Sequence, residues 1–175
     1  MQHNRPFRGL IIKFRHKKQV MKRTILILSV FPLLFSGTSC IKDTSCRNKT
    51  IESEQGQISS YASTTGMTGT THSSGLYYQV LGSSIGVAPT NISRVSVTYT
   101  GKFLDGTVFD SSTTPITFGL GDGIIEGWRI GLPLIQKGQT IRMVIPSSLA
   151  YGCAGRGSIS SNTILFFEVQ LLDVL

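Results

Sequence analysis

The stretch that most limits the fold of this chain is "RVSVTYTGKF", residues 94–103, where Val95, Val97 and Tyr99 recur at every second position. A two-residue period points one row of side chains to a single face of a strand and is incompatible with an amphipathic helix. The same period returns three times. "GLYYQVLG" sets Leu76, Tyr78 and Val80 against Tyr77 and Gln79. "QTIRMVIP" sets out Ile141, Met143 and Ile145 before Pro146 ends the run, and "NTILFFEVQLLDVL" aligns Leu165, Phe167, Val169 and Leu171. Only one stretch has helical spacing, with Trp128, Leu132 and Ile135 at i, i+4 and i+7. That helix must be short, because Pro133 and Gly138 crowd its end. Strands around one brief helix predict an α+β domain, an antiparallel sheet packed on that helix.

Ahead of this domain the composition changes. The formal charge of +8 suggests a nucleic-acid partner until its distribution is examined. Eight of the 17 basic residues (Arg5, Arg8, Lys13, Arg15, Lys17, Lys18, Lys22 and Arg23) fall in residues 1–24, with no acid among them. From Ile25 onward nine bases face nine acids, so the remainder has no footprint for a phosphate backbone, and no nucleic-acid partner is expected.

The basic stretch instead begins an export signal. "MKRTILILSVFPLLFSGTSC", residues 21–40, has a basic start, an apolar run from Ile25 to Phe35, and small residues before a cysteine. The run is about half of the roughly 20 residues that would span a bilayer. Gly37-Thr38-Ser39-Cys40 resembles the lipobox of bacterial lipoproteins, although Gly37 stands where leucine is usual. That resemblance implies cleavage after Ser39, a lipid on Cys40 and membrane attachment, with the outer membrane facing the periplasm as the expected location. Residues 1–20 read as an upstream extension before Met21. Residues 40–75 are rich in Ser, Thr and Gly and read as a flexible tether spanning roughly 30 Å root-mean-square. Its one helical hint is "IESEQGQISSYAS". Cys46 and Cys153 are expected as two unpaired thiols, since nothing in their spacing demands a bond.

Residues 76–175 contain no histidine, which removes Ser-His-Asp and Cys-His catalysis and the common zinc sites, so neither metal nor cofactor is expected. "GLGDG" at 119–123 fits neither a phosphate-binding loop nor a dinucleotide fingerprint and reads as a turn. Any chemistry here must proceed without nucleophile, metal or strong base.

The remaining aromatic and aliphatic residues carry a resemblance. "VSVTYTGKFLDGTVFDSS", "IIEGWRIGL", "KGQTIRMVIPSSLAYG" and "ILFFEVQLLDV" together resemble the FKBP-type peptidyl-prolyl cis-trans isomerases over residues 76–175. The resemblance implies a sheet curled around one short helix, with the substrate proline held in an apolar pocket between them. It makes Trp128 the pocket floor, and Tyr99, Phe109 and Phe167 its walls. Asp110 becomes the polar group at the rim. Ile124 and Ile125 form the lip, with the Ile125 N–H offered to the peptide, and the Tyr151 hydroxyl is offered to a substrate carbonyl. Ile116 stands where an aromatic is usual, with Phe118 two residues on. Ile159 overhangs the pocket in "GSISSN", where Ser160 and Ser161 replace two prolines. The stretch between Asp110 and Pro115 is short.

These residue types suit the reaction. An X-Pro bond rotates over a barrier of about 18–20 kcal/mol because rotation breaks amide resonance. The twisted imide is less dipolar than either planar form, so a dry aromatic pocket favours it relative to the ground states. Lowering the barrier by about 5–6 kcal/mol gives roughly 10⁴-fold acceleration. The expected partners are proline-containing unfolded or exported polypeptides. The same pocket would also serve a peptide-binding chaperone with little or no turnover.

Overall fold

The computed structural model describes residues 45–175 apart from Ile85. The expectations for residues 1–20, the signal at 21–39 and the lipid-bearing Cys40 lie outside the described residues.

Six strands form one sheet: β1 (Thr70–Thr71), β2 (Tyr77–Leu81), β3 (Arg94–Phe103), β4 (Val108–Gly119), β5 (Thr140–Ile145) and β6 (Leu165–Val174). Their spatial order is β1-β2-β5-β6-β3-β4, and every neighbouring pair is antiparallel. The alternation read in β3, β5 and β6 is the burial seen: Val95, Val97, Ile141, Met143, Ile145, Leu165, Val169 and Leu171 are all fully buried on one face. Helix α2 (Glu126–Gly131) lies on that face and continues as a 3₁₀ turn, Leu132–Leu134. Trp128, Leu132 and Ile135 all join this core. Two glycines set how closely the helix approaches. A Cβ on Gly127 would stand 2.5 Å from Ile145 Cγ2, and one on Gly131 would collide with Met143 Sδ.

β4 went unrecognised in the sequence because "DSSTTP" has turn composition. It is an edge strand, where a proline is tolerated since no neighbour needs its N–H. Its register slips against β3: Ile116 pairs Val97 and Ser112 pairs Tyr99, so residues 113–115 bulge opposite Thr98 alone.

The tether expectation is corrected. Residues Ile51–Thr64 form a helix, α1, capped by Thr50, whose side chain accepts from the Ser53 N–H at 3.3 Å. Glu52 and Glu54 in its first turn complement the helix dipole. Glu54, Ile58 and Ala62 are buried at i, i+4 and i+8. Gly66, with φ of 66°, turns the chain out of the helix, and the Met67 N–H returns to the Ala62 carbonyl at 2.9 Å. The stripe covers the second face of the sheet, packing with Met67, Val144, Ile164 and Phe166, and the Tyr61 and Phe166 ring centroids lie 5.6 Å apart. A segment carrying Ile58, Tyr61 and Ala62 at helical spacing, with Met67 just beyond the helix, has enough apolar surface to dock, despite its polar average.

The expectation of unpaired thiols is corrected too. Cys46 and Cys153 form a disulfide with a Cα–Cα distance of 5.3 Å across 107 positions of sequence. Only the docking of the N-terminal segment brings them together, and no local spacing could announce that.

Candidate functional site

The helix-bearing face of the sheet opens into a cleft of about 750 Å³, lined by Tyr99, Asp110, Ile116, Phe118, Ile124, Ile125, Trp128, Tyr151 and Phe167, with Gly123, Glu126, Ala150 and Arg156 at its edges. Trp128 is 6% exposed, so little of the indole meets solvent beyond the cleft it lines. Three rings surround it. Tyr99 stands edge-on at 5.2 Å and 81°, Phe167 edge-on at 5.3 Å and 84°, and Phe118 tilted at 5.5 Å and 43°. Edge-to-face contacts at these distances suit the ring quadrupoles and hold each ring in place.

Each ring comes from a different element: Tyr99 from β3, Phe118 from β4, Trp128 from α2 and Phe167 from β6. The resemblance places Phe118 only as the aromatic two residues on from Ile116. Both line the cleft, and the side with an aliphatic at 116 gains its aromatic from 118. Phe109 stands one layer back, edge-on to Phe167 at 5.4 Å and against Phe103 at 5.1 Å. It supports the wall instead of lining the cleft. Ile159, expected over the pocket, is 8% exposed and belongs to the core; its backbone pairs with Arg156 in a small antiparallel bridge.

The polar groups sit at the rim. Asp110 pairs with Gly101 across the β3–β4 ladder, two positions along from the Tyr99–Ser112 pair and so on the same face. This places its carboxylate to accept from the Tyr99 hydroxyl at 2.7 Å. Burial, then the hydrogen bond and charge of Asp110, push the Tyr99 phenol up to about 12. It is therefore a neutral donor at any physiological pH.

Ile124 and Ile125 are held by the "GLGDG" turn. Asp122 accepts from the Gly119 N–H at 2.8 Å, and its own carbonyl accepts from the Ile124 N–H at 2.6 Å. Ile125 is the N-cap of α2, and its carbonyl accepts from Trp128 N–H at 3.0 Å. Its N–H has no acceptor among the described residues, and the residue lines the cleft. Tyr151 follows the 3₁₀ turn Ser147–Leu149, and the Arg156 guanidinium lies 5.7 Å from its ring centroid. Arg156 was not singled out in the sequence. A lone arginine between two glycines in a loop carries no signal there.

The arrangement is a cleft walled by rings and aliphatic side chains, of a shape and polarity that suit an apolar ring, with polar residues at its edge. Comparison with known proteins agrees. A family model described as FKBP-type peptidyl-prolyl cis-trans isomerase matches residues 86–172. FkpA of Escherichia coli, an FKBP-type peptidyl-prolyl cis-trans isomerase, is 49% identical over 107 residues, which cover 59% of this chain and 39% of that protein. The FKBP-type 22 kDa isomerase of the same organism is 44% identical over 106 residues, 58% of this chain and 51% of its own length. This chain therefore spans only about half or less of the curated relatives it matches. Among solved structures, a peptidyl-prolyl cis-trans isomerase from Pseudomonas syringae aligns with a TM-score of 0.61 at 32% identity, covering 73% of this chain and 97% of the other. The crystal structure of E. coli FkpA aligns with a TM-score of 0.62 at 40% identity, over 71% and 62% of the two chains. The aromatic cleft and these likenesses agree, and the chain belongs to the FKBP-type peptidyl-prolyl cis-trans isomerase family.

Proposed function

We propose that this protein accelerates cis–trans rotation of X-Pro bonds in exported polypeptides. The observation that carries this reading is the cleft itself, where three rings surround an indole floor whose only polar atom, the buried Trp128 Nε1, has no partner among the described residues. A pyrrolidine ring seated on Trp128 loses the water that solvates the planar, dipolar imide. The twisted form needs that water less, so its relative energy falls. The Ile125 N–H and the Tyr151 hydroxyl hold flanking carbonyls while the bond turns. Asp110 keeps Tyr99 oriented, so that the ring wall does not swing into the pyrrolidine site. No covalent step is required.

Export is supported by the basic-then-apolar stretch at 21–40 and by the Cys46–Cys153 disulfide, which suits an oxidising compartment. Attachment to a membrane through a lipid on Cys40, with the outer membrane facing the periplasm, completes the proposal. Its clients would be proline-containing chains arriving unfolded.

The test is an X-Pro isomerisation assay on the wild type beside Asp110→Ala and Trp128→Leu. Turnover that falls in both variants supports the reading. Suppression of aggregation with no acceleration of a proline-limited refolding reaction would make the protein a peptide holdase instead. Mass spectrometry of the N-terminal peptide from membranes tests Cys40: an unmodified cysteine overturns the anchor.

A further inference from the structure

Five contacts tie the N-terminal segment to one loop, and that loop carries Tyr151. The disulfide joins Cys46 to Cys153. The Cys153 N–H donates to Asn48 Oδ1 at 2.8 Å. Asn162 donates from Nδ2 to the Arg47 carbonyl at 3.1 Å and accepts at Oδ1 from the Lys49 N–H at 3.2 Å. Glu54, on the first turns of α1, accepts from the Ser147 N–H at 2.8 Å. The contacts land on the start, middle and end of residues 147–162.

Glu54 is the unusual member. It is fully buried, on the stripe that otherwise holds Ile58 and Ala62. Removing a carboxylate from water is costly unless it is well bonded. Yet Oε1 has no partner, and the Ser147 and Ser148 hydroxyls beside that 3₁₀ turn are likewise buried without one. An apolar side chain would pack this stripe with less penalty. What the carboxylate supplies is an acceptor for the first N–H of the turn that leads through Ala150 to Tyr151. That turn closes on itself through the Gly152 N–H to the Ser147 carbonyl at 2.8 Å. Asn162 adds a second local cost. Among the described residues it is the one non-glycine with positive φ, 54°, a conformation that lets its side chain reach back to Arg47 and Lys49.

We infer that residues 46–54, outside the stretch matched by the family model, form a brace that positions the substrate-facing loop, with Glu54 as the positioning residue for Tyr151. The brace acts through the backbone: Glu54 fixes Ser147, Asn48 fixes Cys153, and Tyr151 lies between the two anchors. The inference rests on the proposed isomerase reading and assigns the catalytic loop of that site to a segment on the opposite face of the sheet.

The experiment is a double-mutant cycle in the full chain between Glu54 and Tyr151, read by kcat and KM on an X-Pro peptide. Glu54→Ala should lower kcat about tenfold with KM changed less than twofold, since the ring-lined pocket is untouched. In a Tyr151→Phe background the same change should cost less than twofold, because the hydroxyl it positions is already gone. Glu54→Gln keeps an acceptor for Ser147 and should restore most of the activity. Asn48→Ala, at an exposed residue outside both hydrophobic cores, should show the same non-additivity at about threefold. Equal losses in both backgrounds, or no loss from either substitution, would overturn the brace. If the wild type binds a proline peptide but does not turn it over, the isomerase reading fails while the brace is still decided. The same cycle is then read from peptide affinity by Trp128 fluorescence, and additivity there overturns it.

Discussion

Replacing both Cys46 and Cys153 by serine should cost this protein most of its margin of stability, and the size of that loss can be worked from the fold. The bridge closes a loop across 107 positions, so it removes chain entropy from nearly the whole unfolded domain. For a loop of that length the chain-entropy relation gives about 4.7 kcal/mol at 25 °C, at the upper end of the roughly 2–5 kcal/mol lost when native bridges are removed from small domains. Taking a urea slope of about 1.5 kcal/mol/M, the midpoint should fall by roughly 3 M. Trp128 is the single tryptophan and is buried among rings, so its emission follows unfolding of the cleft directly. The slope should also rise in the variant, because an unbridged denatured chain exposes more surface. A midpoint shift below about 0.5 M would refute the reasoning, since it would mean that the unfolded chain gains no freedom when released. Reducing agent added to the wild type should reproduce the variant, and reducing agent added to the variant should do nothing.

The Tyr99 phenol should ionise near pH 12 by phenolate absorbance. Its folded value exceeds the ordinary value of 10, so the stability linked to it is whole below pH 10 and is lost as pH rises from 10 to 12. Tyr99→Phe should flatten that part of the stability profile. Gly101→Ala should place a Cβ 2.7 Å from both Phe109 Cζ and Phe167 Cε1, destabilising by about 1–3 kcal/mol and shifting the wall ring, so isomerase activity should fall with stability. A neutral Gly101→Ala would show that the two rings are not packed as described. Asp173, held below the usual carboxylate range first by its hydrogen bond from Lys137 and then by the Val174 N–H, contributes stability at neutral pH that is lost as pH falls through its lowered value. Lys137→Met should raise that value in an NMR titration of the side-chain carboxyl.

The parts of this fold that could be read from sequence are those where one residue type repeats at a fixed period. Val95, Val97 and Tyr99 announced β3, and Trp128, Leu132 and Ile135 announced the helix with its short continuation, because each row faces one core. Runs that break the period carry information of a different kind. "MVI" in β5 and "LFF" in β6 place Val144 and Phe166 out of step, and a strand apolar on both sides must be covered on both. The cover is α1, concealed by the serines and threonines around Ile58 and Ala62. β4 was hidden for a related reason: at an edge, with a bulge at 113–115, most of its side chains face water and need no apolar pattern. The cleft residues were legible through motif order, yet the role of Phe109 as a second layer was not. Whether a ring lines a cavity or supports its wall depends on a few ångströms of register, here the slip between Gly101 and Lys102.

The position of Phe166 beside Phe167 explains why the brace is needed at all. Adjacent residues of a strand face opposite sides, so Phe167 meets Trp128 while Phe166 meets Tyr61 of α1. The sheet is thus a wall shared by two cores, and side-chain packing against α1 does not itself reach the cleft. Only the loops pass from one face to the other. The loop at 147–162 starts from β5 and ends at β6, the two central strands that both cores share. Its first backbone donor is bonded to α1, and its next residues line the cleft. With Ser160 and Ser161 standing where a proline pair would stiffen the chain, this loop has less rigidity of its own. The disulfide, Asn48, Asn162 and Glu54 supply from outside the order that the loop's own sequence lacks.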